Sequence, residues 1–82
     1  MPDKLKVLSG KQILKILEIF GFKIVGQKGS HVKLSRKNIL GEQSLTIPNH
    51  RELDKGTLKA IYNQCLRYIK EDELIAHFYT DK

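Results

Sequence analysis

The spacing of apolar residues predicts a helix near the start of the chain. Ser9 stands three residues before Gln12, a capping-box pattern in which each side chain bonds to the backbone N–H of the other residue. The apolar positions that follow recur at helical spacing: Ile13, Leu14, Ile16, Leu17 and Phe20. Gly21 comes next and can adopt the left-handed conformation that ends a helix. We therefore predict an amphipathic helix between Ser9 and Gly21.

Three segments after this helix have the composition or the alternation of strands, and turn-forming residues separate them. They cover residues 22–25, 31–35 and 43–47. The alternating apolar positions that would share one face are Val32, Leu34, Leu45 and Ile47. Pro48 ends the third strand, because proline lacks the N–H that a sheet requires. The pattern predicts a three-stranded antiparallel sheet with one apolar face and one polar face, the polar face carrying His31.

The C-terminal half predicts two further helices. Thr57 is the expected N-cap of the first. Its apolar stripe comprises Leu58, Ile61, Tyr62, Cys65, Leu66 and Ile69. Residues 71–73 are all acidic, which is typical of the first turn of a helix, here a short final one. The predicted fold class is α+β, an α-β-β-β-α arrangement in which the helices cover the apolar face of the sheet and a short C-terminal helix packs beside them.

Charge is distributed unevenly along the chain. Lysine and arginine number 15 against 9 acidic residues, a net charge of +6. Residues 21–41 contain five cations and no carboxylate, whereas residues 71–82 contain four carboxylates and one lysine. A concentrated positive field attracts polyanions, and its phosphate contacts are strengthened by counterion release. Nucleic acid is therefore the expected partner, and the alternative is an ordinary solvated surface with surplus lysine.

Size and cysteine content narrow the class of protein further. A chain of 82 residues forms one domain with too small a core for a deep cavity, so any site should lie on the surface. Cys65 is the single cysteine and falls on the helical stripe, where a packed core thiol is expected. The chain shows no pattern of a signal peptide or a membrane span. We expect a cytoplasmic protein that does not bind membranes.

Among the three histidines, His31 is the one whose surroundings suggest chemistry. It follows a Gly-Ser turn, and Lys28 and Lys33 are close in sequence. Histidine can take and return a proton near neutral pH, while cations stabilise charge that develops on a phosphate. His50 lies in a loop, where catalytic groups occur but also caps and turns. His77 is expected to be a surface or packing residue, and His31 by its residue type alone also fits an ordinary surface position.

Metal and nucleotide sites are disfavoured. The sequence has no H-x-x-x-H or C-x-x-C spacing, and no carboxylate pair is spaced to complete a ligand set with His31. The stretch Gly26-Gln27-Lys28-Gly29 lacks the G-K-[ST] ending of a phosphate loop. We therefore expect neither a metal nor a cofactor.

Five short motifs stand in succession between residues 7 and 78. They are Ser9-Gly10-Lys11, Leu17 to Gly21-Phe22, Gln27-Lys28-Gly29-Ser30-His31, Ile47-Pro48-Asn49-His50, and Glu52-Leu53-Asp54-Lys55-Gly56-Thr57-Leu58. Lys-Gly-Ser-His followed at this distance by Pro-x-His and Gly-Thr-Leu is a specific combination. It resembles the HicA family of toxins, also called the YcfA-like family.

The resemblance implies a fold similar to the double-stranded-RNA-binding domain, metal-independent cleavage of mRNA, and neutralisation by a HicB antitoxin that covers the active face. It places the catalytic histidine on His31. We expect residues 1–82 to form a single HicA-like domain with its core at 7–78, and Ser30 and His50 to support catalysis. The proton donor to the leaving 5′-oxygen is left open among His50, a lysine and water. The expected RNA-binding residues are Lys28, Gly29, Lys33, Arg36 and Lys37.

Two other functions fit the same charge pattern. A noncatalytic module of the double-stranded-RNA-binding type reads the shape of RNA without a titrating residue. A basic protein-interaction domain would instead bind an acidic protein partner. The Gly-Ser-His element favours the toxin over both.

Overall fold

Three helices and a three-stranded sheet make up most of the structure, a computed structural model that describes residues 4–80. In chain order the elements are β1 (Lys4–Leu5), α1 (Gly10–Ile19), β2 (Lys23–Lys28), β3 (His31–Asn38), β4 (Gly41–Pro48), α2 (Lys55–Cys65), α3 (Glu71–Phe78) and β5 (Tyr79–Thr80). Strands β2, β3 and β4 form an antiparallel sheet in that order. The predicted α+β class, the α-β-β-β-α order and the short C-terminal helix are confirmed.

The start and the end of α1 agree with the sequence pattern. Ser9 Oγ accepts a hydrogen bond from the Gln12 backbone N–H at 3.1 Å, and Gln12 Oε1 accepts one from the Ser9 N–H at 2.8 Å. Gly21 has a φ of +91°, which residues with a side chain rarely adopt. The capping box and the terminating glycine are therefore both present.

One apolar core lies between the sheet and the helices. The predicted inward strand positions 32, 34, 45 and 47 are all buried, with at most 3% of each residue exposed. From the helices, the buried residues Ile13, Leu17, Leu58, Ile61, Leu74 and Phe78 belong to the same cluster. Burial of this apolar area drives folding and leaves the opposite face of the sheet open to solvent.

The turn between β2 and β3 sets where His31 lies. β2 is longer than the predicted strand and contains a bulge, because the pairing register shifts between Ile24 and Gly26. Gly29 has a φ of +61° and makes the turn with Ser30. β3 then begins at His31, as the alternation predicts.

The predicted N-cap of α2 was wrong. The helix begins at Lys55, so its N-cap is Asp54, and Thr57 lies in the first turn. The helix therefore starts three residues earlier than a Thr57 cap would allow, and the Asp54 side chain makes no capping hydrogen bond to the backbone. The Thr57 hydroxyl donates to Asp54 Oδ1 at 2.5 Å, and this hydrogen bond lowers the pKa of the Asp54 carboxyl.

Pairing between the two ends of the described chain was not predicted. Lys4 pairs with Thr80 and Leu5 with Tyr79 in a second, two-stranded antiparallel sheet. The Lys6 N–H also donates to the Phe78 carbonyl at 2.8 Å. Asp81 and Lys82, which contribute to the C-terminal charge, lie outside the described residues.

Candidate active site

The β2–β3 turn and the loop after β4 meet at one end of the sheet. His31 pairs with Lys28 on one side and with Pro48 on the other. The Asn49 N–H donates to the Ser30 carbonyl at 2.6 Å, which extends the contact one residue beyond β4. The Gly-Ser-His and Pro-Asn-His motifs, far apart in the chain, are therefore neighbours in the fold.

Ser30 and His50 form a side-chain pair across this junction. His50 Nε2 lies 3.2 Å from Ser30 Oγ, although the two residues are 20 positions apart in the chain. Which of the two atoms donates depends on the tautomer of the ring. Both residues were predicted to support catalysis, and the structure brings them together.

The first residue of α1 holds the His50 loop in place. The Gly10 N–H donates to the His50 carbonyl at 2.8 Å. A Cβ at position 10 would overlap the Pro48 carbonyl oxygen and would lie 2.6 Å from Asn49 Cα and 2.9 Å from the His50 nitrogen. Only glycine allows the helix to approach the loop this closely, so α1 sets the position of His50.

His31 is exposed on the open face of the sheet. Within residues 4–80, its imidazole has no hydrogen-bond partner. Lys33 and Lys37 follow on the same face of β3, and Lys28 lies across the turn from His31. These lysines are exposed, and none forms an ion pair with a described carboxylate. Within residues 4–80, the His31 imidazole therefore has no partner, and the unpaired cations Lys28 and Lys33 are its neighbours on this face.

Ser35 shares this face but is not available to a ligand. It is 7% exposed, and its hydroxyl donates to Glu42 Oε2 at 2.5 Å. Glu42 is the cross-strand partner of Lys37. This carboxylate lowers the positive field at the far end of β3.

Arg36 lies on the helix side of the sheet, unlike the lysines. Its guanidinium donates three hydrogen bonds of 2.6 Å each, to Gln43 Oε1, the Phe20 carbonyl and the Tyr68 carbonyl. It also stacks over the Phe22 ring, with 4.6 Å between Cζ and the ring centroid. Arg36 therefore joins β3 to the ends of two helical segments, and its donors are not directed toward the His31 face.

Replacing Arg36 with lysine is expected to lower the free energy of unfolding by about 1–3 kcal/mol, since a single ammonium cannot reproduce three directed bonds. Urea denaturation measures this change. The neighbouring Lys37→Arg is the control, because the exposed Lys37 side chain has no partner within residues 4–80 and its replacement should leave stability unchanged. Equal stability of the Arg36→Lys variant and wild type would contradict the assigned role.

The remaining reactive residues lie away from this junction. Cys65 is fully buried, and burial raises the pKa of its thiol to about 12, so the thiol is protonated at neutral pH. The His77 ring packs edge-on against Phe20, with centroids 5.4 Å apart. Within residues 4–80, no three His, Cys, Asp or Glu side chains come together as a metal-binding group.

A groove beside the Ser30–His50 pair was not predicted as part of the site. It is lined by Ser9, Lys11, Asn49, His50 and Arg51. Lys11 and Asn49 belong to the motifs that carry the family resemblance. This membership was the one feature of the sequence that indicated a place at the site. Because the two residues are far apart in the sequence, the motifs did not indicate that they line the same surface.

Comparison with known proteins adds one finding. The family model described as HicA toxin of bacterial toxin-antitoxin matches residues 10–66. The chain belongs to the HicA toxin family. This HicA chain is therefore the toxin of a toxin–antitoxin system, and an antitoxin is its partner.

The family match covers Ser30, His31 and His50, and every lining residue of the groove except Ser9. It begins at the first residue of α1 and ends just after α2, so it includes both motifs that meet at His31. In this HicA toxin, α3 and β5 lie beyond the matched range. No curated protein and no solved structure matches the chain. None of the helices described is long and apolar enough to span a bilayer.

Proposed function

We propose that this HicA toxin is a metal-independent endoribonuclease that cleaves mRNA in the cytoplasm, with His31 as its general base. The observation that carries the proposal is the exposed His31 imidazole, which has no partner within residues 4–80 and is flanked by unpaired lysines. A general base must reach the proton that it removes, and a side chain held by other protein groups would first have to be released. His31 is free to do so.

The reaction uses the ribose itself as the nucleophile. Neutral His31 takes the proton of a 2′-hydroxyl, and the 2′-oxygen attacks the adjacent phosphorus. Lys28 and Lys33 stabilise the negative charge that builds on the phosphate oxygens. The bond from phosphorus to the 5′-oxygen then breaks. The products are a 2′,3′-cyclic phosphate and a strand that begins with a 5′-hydroxyl.

The leaving 5′-oxygen needs a proton, and His50 is the group assigned to supply it. A protonated imidazole can donate from one nitrogen to the leaving oxygen while its Nε2–H bonds to Ser30 Oγ, 3.2 Å away. Ser30 is thus a positioning residue that orients the His50 ring. It directly precedes His31 in the chain, which supports a shared site.

Contacts with RNA phosphates are assigned to the turn and to the open face. The residues are Lys28, Gly29, Lys33 and Lys37. Arg36 is left out because its guanidinium is bonded on the helix side of the sheet. A HicB-like antitoxin would neutralise the toxin by covering this same face, since a bulky partner over His31 excludes the mRNA.

Incubation of end-labelled mRNA with the purified protein in EDTA tests the proposal. We expect cleavage, with a 2′,3′-cyclic phosphate on the upstream product and a 5′-hydroxyl on the downstream one. RNA that is bound but remains intact would point to the noncatalytic RNA-binding module. Neither binding nor cleavage would favour the basic protein-interaction domain.

A further inference from the structure

We propose that the groove lined by Ser9, Lys11, Asn49, His50 and Arg51, here called the α1 groove, binds a backbone phosphate of the RNA next to the one that is cleaved. This inference rests on the proposed ribonuclease function and extends its substrate site. It assigns Lys11 and Arg51, which lie outside the predicted RNA-binding set, to the recognition of substrate.

The α1 groove is continuous with the catalytic junction. His50 belongs to both, because it lines the groove and its Nε2 lies 3.2 Å from Ser30 Oγ. The Gly10 N–H holds α1 against the loop that carries His50 through its 2.8 Å hydrogen bond to the His50 carbonyl. A strand whose reacting phosphate lies beside His31 and His50 would therefore continue into the groove.

The lining of the groove is chemically suited to an anion. Lys11 and Arg51 are exposed and bring two positive charges, and neither forms an ion pair with a described carboxylate. Asn49 adds an exposed amide that can donate hydrogen bonds. Within residues 4–80, no acidic residue lines the groove, and the first turn of α1 contains none. These donors match phosphate oxygens, and an acidic protein segment is the less suitable occupant because the site already proposed beside it acts on RNA.

The groove would provide a second binding region, so that the RNA is held on both sides of the cleaved bond. Lys28 and Lys33 lie on the open face of the sheet, whereas Lys11 and Arg51 come from α1 and from the β4–α2 loop. The Ser30–His50 contact lies at the junction of these two basic regions. Holding the strand at both regions would fix the reacting phosphate between them, which is the positioning that an intramolecular attack requires.

Binding of an uncleavable RNA tests the assignment. The probe carries a 2′-deoxyribose at the cleaved nucleotide, which removes the nucleophile, so affinity is measured without turnover. The Lys11→Gln/Arg51→Gln double variant is expected to bind a long probe on the order of tenfold more weakly than wild type. The slope of log K against log salt should fall by about 0.7 for each phosphate that the variant no longer neutralises. Lys11→Arg, which keeps the charge, should bind as wild type.

The controls remove equal charge elsewhere on the chain. Lys15→Gln lies on an exposed position of α1, and Arg67→Gln on an exposed position after α2. This double control should retain wild-type affinity and salt slope. An equal weakening of binding in the control and in the groove variant would overturn the proposal, since it would show an effect of net charge only.

Probe length identifies which phosphate is bound. The difference between wild type and the groove variant should disappear with a dinucleotide probe, which has no neighbouring phosphate. A difference that persists with the dinucleotide would overturn the assignment to a flanking phosphate. Because binding is measured apart from cleavage, a protein that binds RNA through the groove and does not cleave it would refute the ribonuclease function alone.

Discussion

Replacing His31 with alanine is expected to slow RNA cleavage by about 10²–10⁴-fold, the usual contribution of a positioned general base. The fold should be unaffected, because the side chain is exposed and bonds to no other described residue. Cleavage of labelled mRNA in EDTA gives the rate. Circular dichroism and thermal denaturation show whether the variant keeps the wild-type structure.

A histidine outside the site provides the control for this substitution. His77→Gln removes an imidazole that packs against Phe20 in the helical layer, so cleavage should continue at a rate close to that of wild type. Cleavage by His31→Ala at the wild-type rate would exclude His31 as the catalyst. Loss of cleavage together with retained RNA affinity would place the defect in the chemical step rather than in binding.

Replacing Gly10 with alanine is expected to lower the free energy of unfolding by about 1–3 kcal/mol, the range typical of overpacking. The added methyl group would meet the backbone of Pro48, Asn49 and His50 at distances under 3.0 Å. Backbone atoms cannot rotate away as a flexible side chain can, so the helix and the loop must separate. Urea denaturation measures the change in stability.

The same substitution should also slow cleavage, since the displaced loop carries His50. Gly26→Ala is the matched control: a Cβ there meets nothing within 4 Å, and the φ of Gly26 is not in the left-handed region. Its stability should change by less than about 0.5 kcal/mol. A Gly10→Ala variant as stable as Gly26→Ala would contradict the prediction, since it would show that α1 and the loop can separate without lowering the free energy of unfolding.

Local patterns in the sequence predicted much of the fold because they depend on neighbouring residues. The capping box of Ser9 and Gln12 spans one helical turn, and the alternation from His31 to Ser35 follows from the pleat of a strand. The turn at Gly29 requires a positive φ that glycine adopts readily. The exposure of His31 followed from the same alternation, so the exposed position of this candidate catalytic residue was predictable.

Two features were harder to predict from the sequence. One is the face of the sheet on which a charged residue lies, and the other is which of two nearby cap residues begins a helix. Arg36 was grouped with the lysines because the second predicted strand covered only residues 31–35, so its alternation was not extended to Arg36, whereas β3 runs to Asn38. In the fold, its alternation with Lys33 and Lys37 places it on the helix side, where backbone carbonyls accept its hydrogen bonds. Asp54 and Thr57 are both good cap residues, and the sequence contained no local feature that decided between them.

The sequence by itself determined the α1 helix, the inward and outward positions of the strands, and the exposed place of His31 after its turn. Only the tertiary structure decided that Ser30 meets His50, that Gly10 must lack a side chain, and that Lys11 and Arg51 line a common groove with His50. The reason is physical. Periodicity and capping arise from interactions within a few residues, whereas contacts between distant segments depend on how the helices and the sheet pack around one core.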